Sequence, residues 1–174
     1  FMSIALSSLL SSKGWPTNAC VFIYHREQGL FITGSQSGTI YAYGDGFQYM
    51  KTPIDYHTPE AVIFLLSISD TQILVVYEDN SMIILDLPSL TPIPGAFLPS
   101  TWLLSNVMIT CIRRDETNHS SKEKLFVYVG TSDGTLYVLD CTVSGQIREC
   151  DYIINLQDVH ISEQGISDIQ GEIK

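Results

Sequence analysis

The chain has 174 residues, of which 45% are hydrophobic and 16% charged. That is enough globular sequence for about one ordinary domain, and it excludes a disordered chain. Nine basic against nineteen acidic residues leave a formal net charge of −10, the wrong sign for a general binder of nucleic acid or anionic lipid. The longest apolar run, around "AVIFLL" (61–66), falls far short of the ~20 residues that span a bilayer. The opening "FMSIALSSLLSSKG" lacks a basic n-region and its apolar stretch is broken by serines, so no targeting signal is read.

In chain order, the first predicted strand is "ACVFIY" (19–24), followed across the turn "HREQG" by the hairpin "LFITGSQSGTIYAYG" (30–44) and a weaker strand in "FQYMKT" (47–52). The pattern then repeats. "AVIFLLSI" (61–68) leads across "SDTQ" to "ILVVYEDNSMIILDL" (73–87), with a weaker strand near 91–97. "NVMITCI" (106–112) leads across the polar insertion "RRDETNHSSKEK" (113–124) to "FVYVGTSDGTLYVLD" (126–140), with "IRECDYI" (147–153) after it. Val, Ile, Tyr and Phe dominate these runs, and no segment holds a 3.6-residue period.

The three hairpins align without gaps, and their turns end at Gly38, Asn80 and Gly134, residue types that tolerate positive φ. These positions lie 42 and 54 residues apart. A period of ~40–45 residues is that of WD40 propeller blades, with four strands to a blade. The polar insertion accounts for the longer interval. The expected fold is therefore all-β, with about three four-stranded antiparallel WD40-like blades.

"GTSDG" (130–134) fits the G-x-S-x-G pattern of a hydrolase nucleophile elbow, which would make Ser132 a nucleophile. An elbow needs a helix directly after the serine, whereas "TLYVLD" reads as a strand. Gln36 and Glu78 fill the same slot in the sister hairpins, so Ser132 is read as a turn residue. Cys20, Cys111, Cys141 and Cys150 form no C-x-x-C pair, so no zinc site is expected. Cys20 and Cys111 lie in apolar runs and are expected to be reduced core residues, which fits a cytosolic setting.

His25, His57, His119 and His160 are dispersed, and His57, five residues before Val62, is expected to hydrogen-bond within its blade. Asp86 and Asp140 take the place of the Asp in a WD dipeptide, with Leu85 and Leu139 where the Trp would stand. "GDG" (44–46) lacks the third glycine of a phosphate loop. Trp15 and Trp102 are expected to pack over blade edges, with interface anchoring as the alternative. No catalytic, cofactor-binding or metal-binding residue is assigned, no cofactor is expected, and the protein-binding residues stay unassigned.

The order of motifs over roughly 13–157 resembles the lethal giant larvae/tomosyn family. The resemblance rests on Gly14-Trp15-Pro16, Ala19, Leu30 to Gly38, and Tyr43-Gly44, then "YEDN" with its "DL" ending, then "ITCI" and "LFVYVGTSDG". It implies a non-catalytic scaffold of cell polarity and exocytosis, built from two joined seven-bladed propellers. The chain would be an N-terminal portion: a lead-in (1–13), degenerate blades at about 14–55, 56–98 and 99–157, and the start of a fourth blade or a linker (158–174). The implied partners are SNARE proteins, syntaxin- or SNAP-25-like, with a Rab GTPase or myosin in some members. The implied location is the cytoplasm, peripheral to the plasma membrane through protein partners, without insertion into the bilayer. Two alternatives stand beside it: another WD40 trafficking or coat-complex scaffold, and a serine hydrolase using GTSDG.

Overall fold

The computed structural model describes residues 18–44, 49–51, 60–115, 125–141 and 147–155. Among the described residues, twelve strands form three four-stranded antiparallel sheets, each a simple meander. Blade 1 runs β1 (Ala19–His25), β2 (Leu30–Ser35), β3 (Ile40–Tyr43) and β4 (Tyr49–Lys51). Blade 2 runs β5 (Val62–Ser69), β6 (Gln72–Tyr77), β7 (Met82–Asp86) and β8 (Thr91–Leu98). Blade 3 runs β9 (Ile109–Arg114), β10 (Phe126–Thr131), β11 (Thr135–Cys141) and β12 (Ile147–Asn155). These are WD40-like β-propeller blades. Among the described residues, no helix is long and apolar enough to cross a membrane.

Burial along each strand explains its sequence. β6 and β7 are buried on both faces, which is why "ILVVY" and "MIIL" read as continuous apolar runs. Blade 2 is sandwiched between the other two. One of its faces joins Leu30, Ile32, Ile40 and Ala42 of blade 1, and the other joins Val127, Val129, Leu139 and Cys141 of blade 3. β1, by contrast, alternates. Val21 and Ile23 pack toward blade 2, whereas Phe22 and Tyr24 are exposed on the opposite face.

The predicted turn residues have the expected backbone. Gly38, Asn80 and Gly134 have φ of 77°, 68° and 81°, which only glycine and asparagine adopt readily. A further repeat was not foreseen. The inner strand of each blade carries one extra residue near its start, namely Cys20, Ile63 or Thr110, where the pairing register slips. The Cys20 thiol donates to Gly34 O at 3.4 Å and the Thr110 hydroxyl to Gly130 O at 3.1 Å, so two bulges are tied to their neighbouring strand in the same way.

Three expectations are corrected by the structure. β9 begins at Ile109 rather than Asn106, and it continues through Arg113 and Arg114, which had been assigned to the polar insertion. β12 continues to Asn155. Cys20 is exposed, not a core residue, although its thiol also reaches Val62 O in blade 2 at 2.9 Å. Apart from these corrections, His25, to which the sequence assigned no role, is fully buried, and its Nε2 lies 3.0 Å from Ser69 O of blade 2. His57, His119, His160, Trp15, Asp45-Gly46 of the GDG run, the lead-in and 158–174 lie outside the described residues.

Cys111 and Cys141 are buried, and none of the four cysteines is in a disulfide. Burial, with Asp140 and Cys150 alongside, pushes the Cys141 thiol up to about 12. Thiolate is the reactive form, so Cys141 should resist iodoacetamide at pH 8 in the native chain and react only after unfolding. Peptide mass spectrometry after native and denatured labelling checks this.

Candidate protein-interaction surface

One end of the three blades is built from the β2–β3, β6–β7 and β10–β11 turns together with the residues that enter β1, β5 and β9. Gln36, Glu78 and Ser132 each donate a backbone N–H across this end, to Asn18 O, Ala61 O and Met108 O at 2.9, 2.8 and 2.9 Å. The slot that the sequence filled with Gln, Glu and Ser is thus one structural position repeated three times. Ser132 leads from strand β10 into strand β11, so the helix that a nucleophile elbow requires is replaced by a strand. Its Oγ accepts a hydrogen bond from Met108 N–H at 3.0 Å.

Asn80 does more than turn the chain. Its side-chain amide donates to Val107 O at 2.7 Å and its Oδ1 accepts from Ile109 N–H at 3.0 Å. Its own carbonyl accepts from the indole N–H of Trp102 at 2.8 Å. Trp102, in a short 3-10 helix at Ser100–Trp102, meets the ring of Tyr137 edge-on at 5.4 Å. The tryptophan therefore packs over the junction of blades 2 and 3, as expected from sequence. Between Asn80 on one side and Ser132 on the other, Val107, Met108 and Ile109 are held by four hydrogen bonds.

This held segment and the turn before it present apolar side chains to solvent. Leu104 is 73% exposed and Met108 is 50% exposed, and a turn closed by Val107 N–H donating to Leu104 O lies between them. Carboxylates flank them: Glu60, Glu78 and Asp79 from blade 2, and Asp133 from blade 3. Among the described side chains no cation lies at this end of blades 2 and 3, while the backbone of Lys51 in blade 1 pairs with Tyr41 near the β2–β3 turn. Arg26, Arg113, Arg114 and Arg148 sit at the opposite end, mixed there with acidic residues.

Asp79 and Asp133 occupy equivalent turn positions. Asp79 Oδ1 accepts from Ser81 N–H and Oγ at 2.9 and 2.6 Å. Asp133 Oδ1 accepts from the Thr131 hydroxyl at 2.6 Å and from Thr135 N–H at 3.2 Å. Partial burial works against the charge of Asp133, but these hydrogen bonds outweigh it and hold the carboxyl below the usual carboxylate range. A lowered folded value stabilises the chain above the unfolded value of ~3.9, and that stabilisation is lost as pH falls through the folded value. Asp133→Asn should therefore flatten the acid limb of a stability-versus-pH curve below about pH 4. Urea melts of both forms at several pH values measure it.

The comparisons with known proteins bear on the fold. A chain from the crystal structure of BBS1N in complex with ARL6DN aligns with TM-score 0.53 at 15% identity, over 79% of this chain and 40% of that one. These are propeller blades. BamB from Moraxella catarrhalis aligns at TM-score 0.46 and 14% identity over 73% of this chain and 33% of that one. The β-propeller domain of Myceliophteria thermophila Cps50 (Swd1) aligns at 0.48 and 12% over 88% and 58%. The chain thus spans less than two thirds of each of the three. No family model matches the sequence, and no curated protein matches it.

Among the described residues, no three His, Cys, Asp or Glu side chains gather closely enough to hold a metal. What this end of the propeller offers is a fixed apolar pair within an acidic rim. Sequence reasoning left the binding residues unassigned because Leu104 and Met108 sit in "TWLLSNVMITCI", where every apolar residue resembles a core residue. The signal that singles them out is the neighbouring pattern of Asn80 and Ser132, which becomes readable only when the turns are known to meet the entry to β9.

Proposed function

We propose that the chain is part of a non-catalytic WD40 scaffold that binds a protein partner. The observation that carries this reading is exposed Met108, its backbone clamped between two turns, with exposed Leu104 tied to it through the turn closed by Val107 N–H, since a preorganised backbone loses little entropy on binding. Ser132, the residue with nucleophile-like surroundings in sequence, has its Oγ engaged by Met108 N–H. A fluorophosphonate probe should leave it unlabelled, and labelling of Ser132 would restore the hydrolase alternative.

The finer reading rests on the order of motifs over 13–157, which resembles the lethal giant larvae/tomosyn family. On it, the partner is a syntaxin- or SNAP-25-like SNARE, and the protein acts in exocytosis and cell polarity. It would be cytoplasmic and reach the plasma membrane through that partner, with blades at about 14–55, 56–98 and 99–157. The net charge of −10 supports recruitment by protein rather than by anionic lipid. Full-length protein should retain such a SNARE from the same organism in a pull-down at micromolar concentration. Retention of none of them would remove the SNARE reading and leave the other WD40 trafficking scaffolds.

A further inference from the structure

The geometry points to an occupant for the Leu104–Met108 surface: an amphipathic helical segment of a partner protein whose apolar side is flanked by Lys or Arg. The inference deepens the scaffold reading and rests on it. Three observations combine. First, the surface has a fixed apolar centre, because Asn80 and Ser132 hold the backbone on both sides of Met108. Second, its rim is acidic on both blades, with Glu60, Glu78 and Asp79 on one side and Asp133 on the other, and among the described side chains no cation lies at this end of blades 2 and 3. Charge complementarity therefore selects a cationic partner.

Third, backbone hydrogen bonding limits the shape of that partner. At all three turns the N–H groups of Gln36, Glu78 and Ser132 are taken by Asn18, Ala61 and Met108 carbonyls. Gly38, Asn80 and Gly134 N–H groups are taken by Ser35, Tyr77 and Thr131 carbonyls. Strand addition needs a continuous free row of such groups, and these six, spaced along the turns, are already taken. Side chains carry the contact instead, which suits the i, i+3, i+4 anchors of a helix. The acidic rim also repels an anionic bilayer, so the occupant is protein rather than lipid.

The test uses the 174-residue chain and a fluorescent synthetic Leu/Lys amphipathic helix of about five turns, read by anisotropy. A Leu/Glu helix with the same apolar side and phosphatidylserine vesicles serve as comparisons. The Leu/Lys helix should bind, more weakly as salt rises, and the Leu/Glu helix about tenfold less tightly or not at all. Leu104→Ser/Met108→Ser and, separately, Glu78→Lys should each weaken Leu/Lys binding by about tenfold. Phe97→Ser, which alters an exposed residue of the outer strand of blade 2, should not. Matching circular-dichroism melts establish that the variants are folded.

Failure of the Leu/Lys helix to bind, equal binding by Leu104→Ser/Met108→Ser and wild type, or capture of the vesicles through these residues would each overturn the inference. The two readings separate cleanly. A SNARE retained equally by the full-length Leu104→Ser/Met108→Ser variant sinks this contact and leaves the family reading standing. Binding of the Leu/Lys helix without retention of any SNARE does the reverse.

Discussion

Alanine at Gly34 is expected to destabilise the chain by about 2–3 kcal/mol, the upper part of the range for overpacking a filled core. A Cβ there would lie 2.4 Å from Val62 Cγ1, 2.5 Å from Val62 Cβ and 2.9 Å from Val21 Cγ1. Rotating the valine does not relieve a clash with its own Cβ, so β5 must move away from β2. That shift separates blades 1 and 2 where Gly34 meets Val62 and strains the bond from the Cys20 thiol to Val62 O. Urea melts should show a lower midpoint. In a Val62→Gly background the alanine should cost less, because the two nearest obstructing atoms are gone and only Val21 Cγ1 remains. A Gly34→Ala midpoint equal to wild type would show that the two blades do not approach as described.

The second large effect belongs to Asn80. Asn80→Ala removes two side-chain hydrogen bonds, leaves Val107 O and Ile109 N–H without them, and places alanine at a φ of 68°. Each bond contributes ~1 kcal/mol and the left-handed backbone costs ~1 kcal/mol more, so the loss should reach about 3 kcal/mol. Asn80→Gly restores only the backbone and should recover about 1 kcal/mol of it. That ordering, asparagine over glycine over alanine, separates the clamp from the turn. If glycine matches asparagine in urea melts, the amide contributes nothing and Met108 is not held from this side. The same pair should also weaken partner binding, because Asn80 holds the segment that carries Leu104 and Met108.

The Ser132 question illustrates how far pattern alone reaches. The aligned hairpins place Gln36, Glu78 and Ser132 in one slot, and the structure gives all three the same backbone bond. That much was readable, because a turn between two strands imposes its demands locally: positive φ at Gly38, Asn80 and Gly134, and apolar runs on either side. What Ser132 Oγ bonds to was not readable. Met108 lies 24 residues away in the chain, and nothing local encodes that pairing.

The amino-acid sequence by itself determined the strand content, the turn positions and the repeat, since each follows from interactions within a few residues. The consecutive apolar positions of "ILVVY" and "MIIL" fit cover on both faces, but that blade 2 lies between the other two was decided by the stacking of the sheets. Tertiary structure decided the rest. The apolar residues Val107 and Met108 read as the start of a strand, but Val107 is buried and Met108 is half-exposed, because Asn80 and Ser132 claim the backbone ahead of β9. His25 looked like one of four scattered histidines until the packing of blade 1 on blade 2 brought Ser69 O to its ring. Gly34 looked like one more flexible residue, and only the approach of Val62, 28 positions along, makes its missing side chain necessary. Contacts between blades join residues too far apart for local preference to specify, so they exist only once the sheets have stacked.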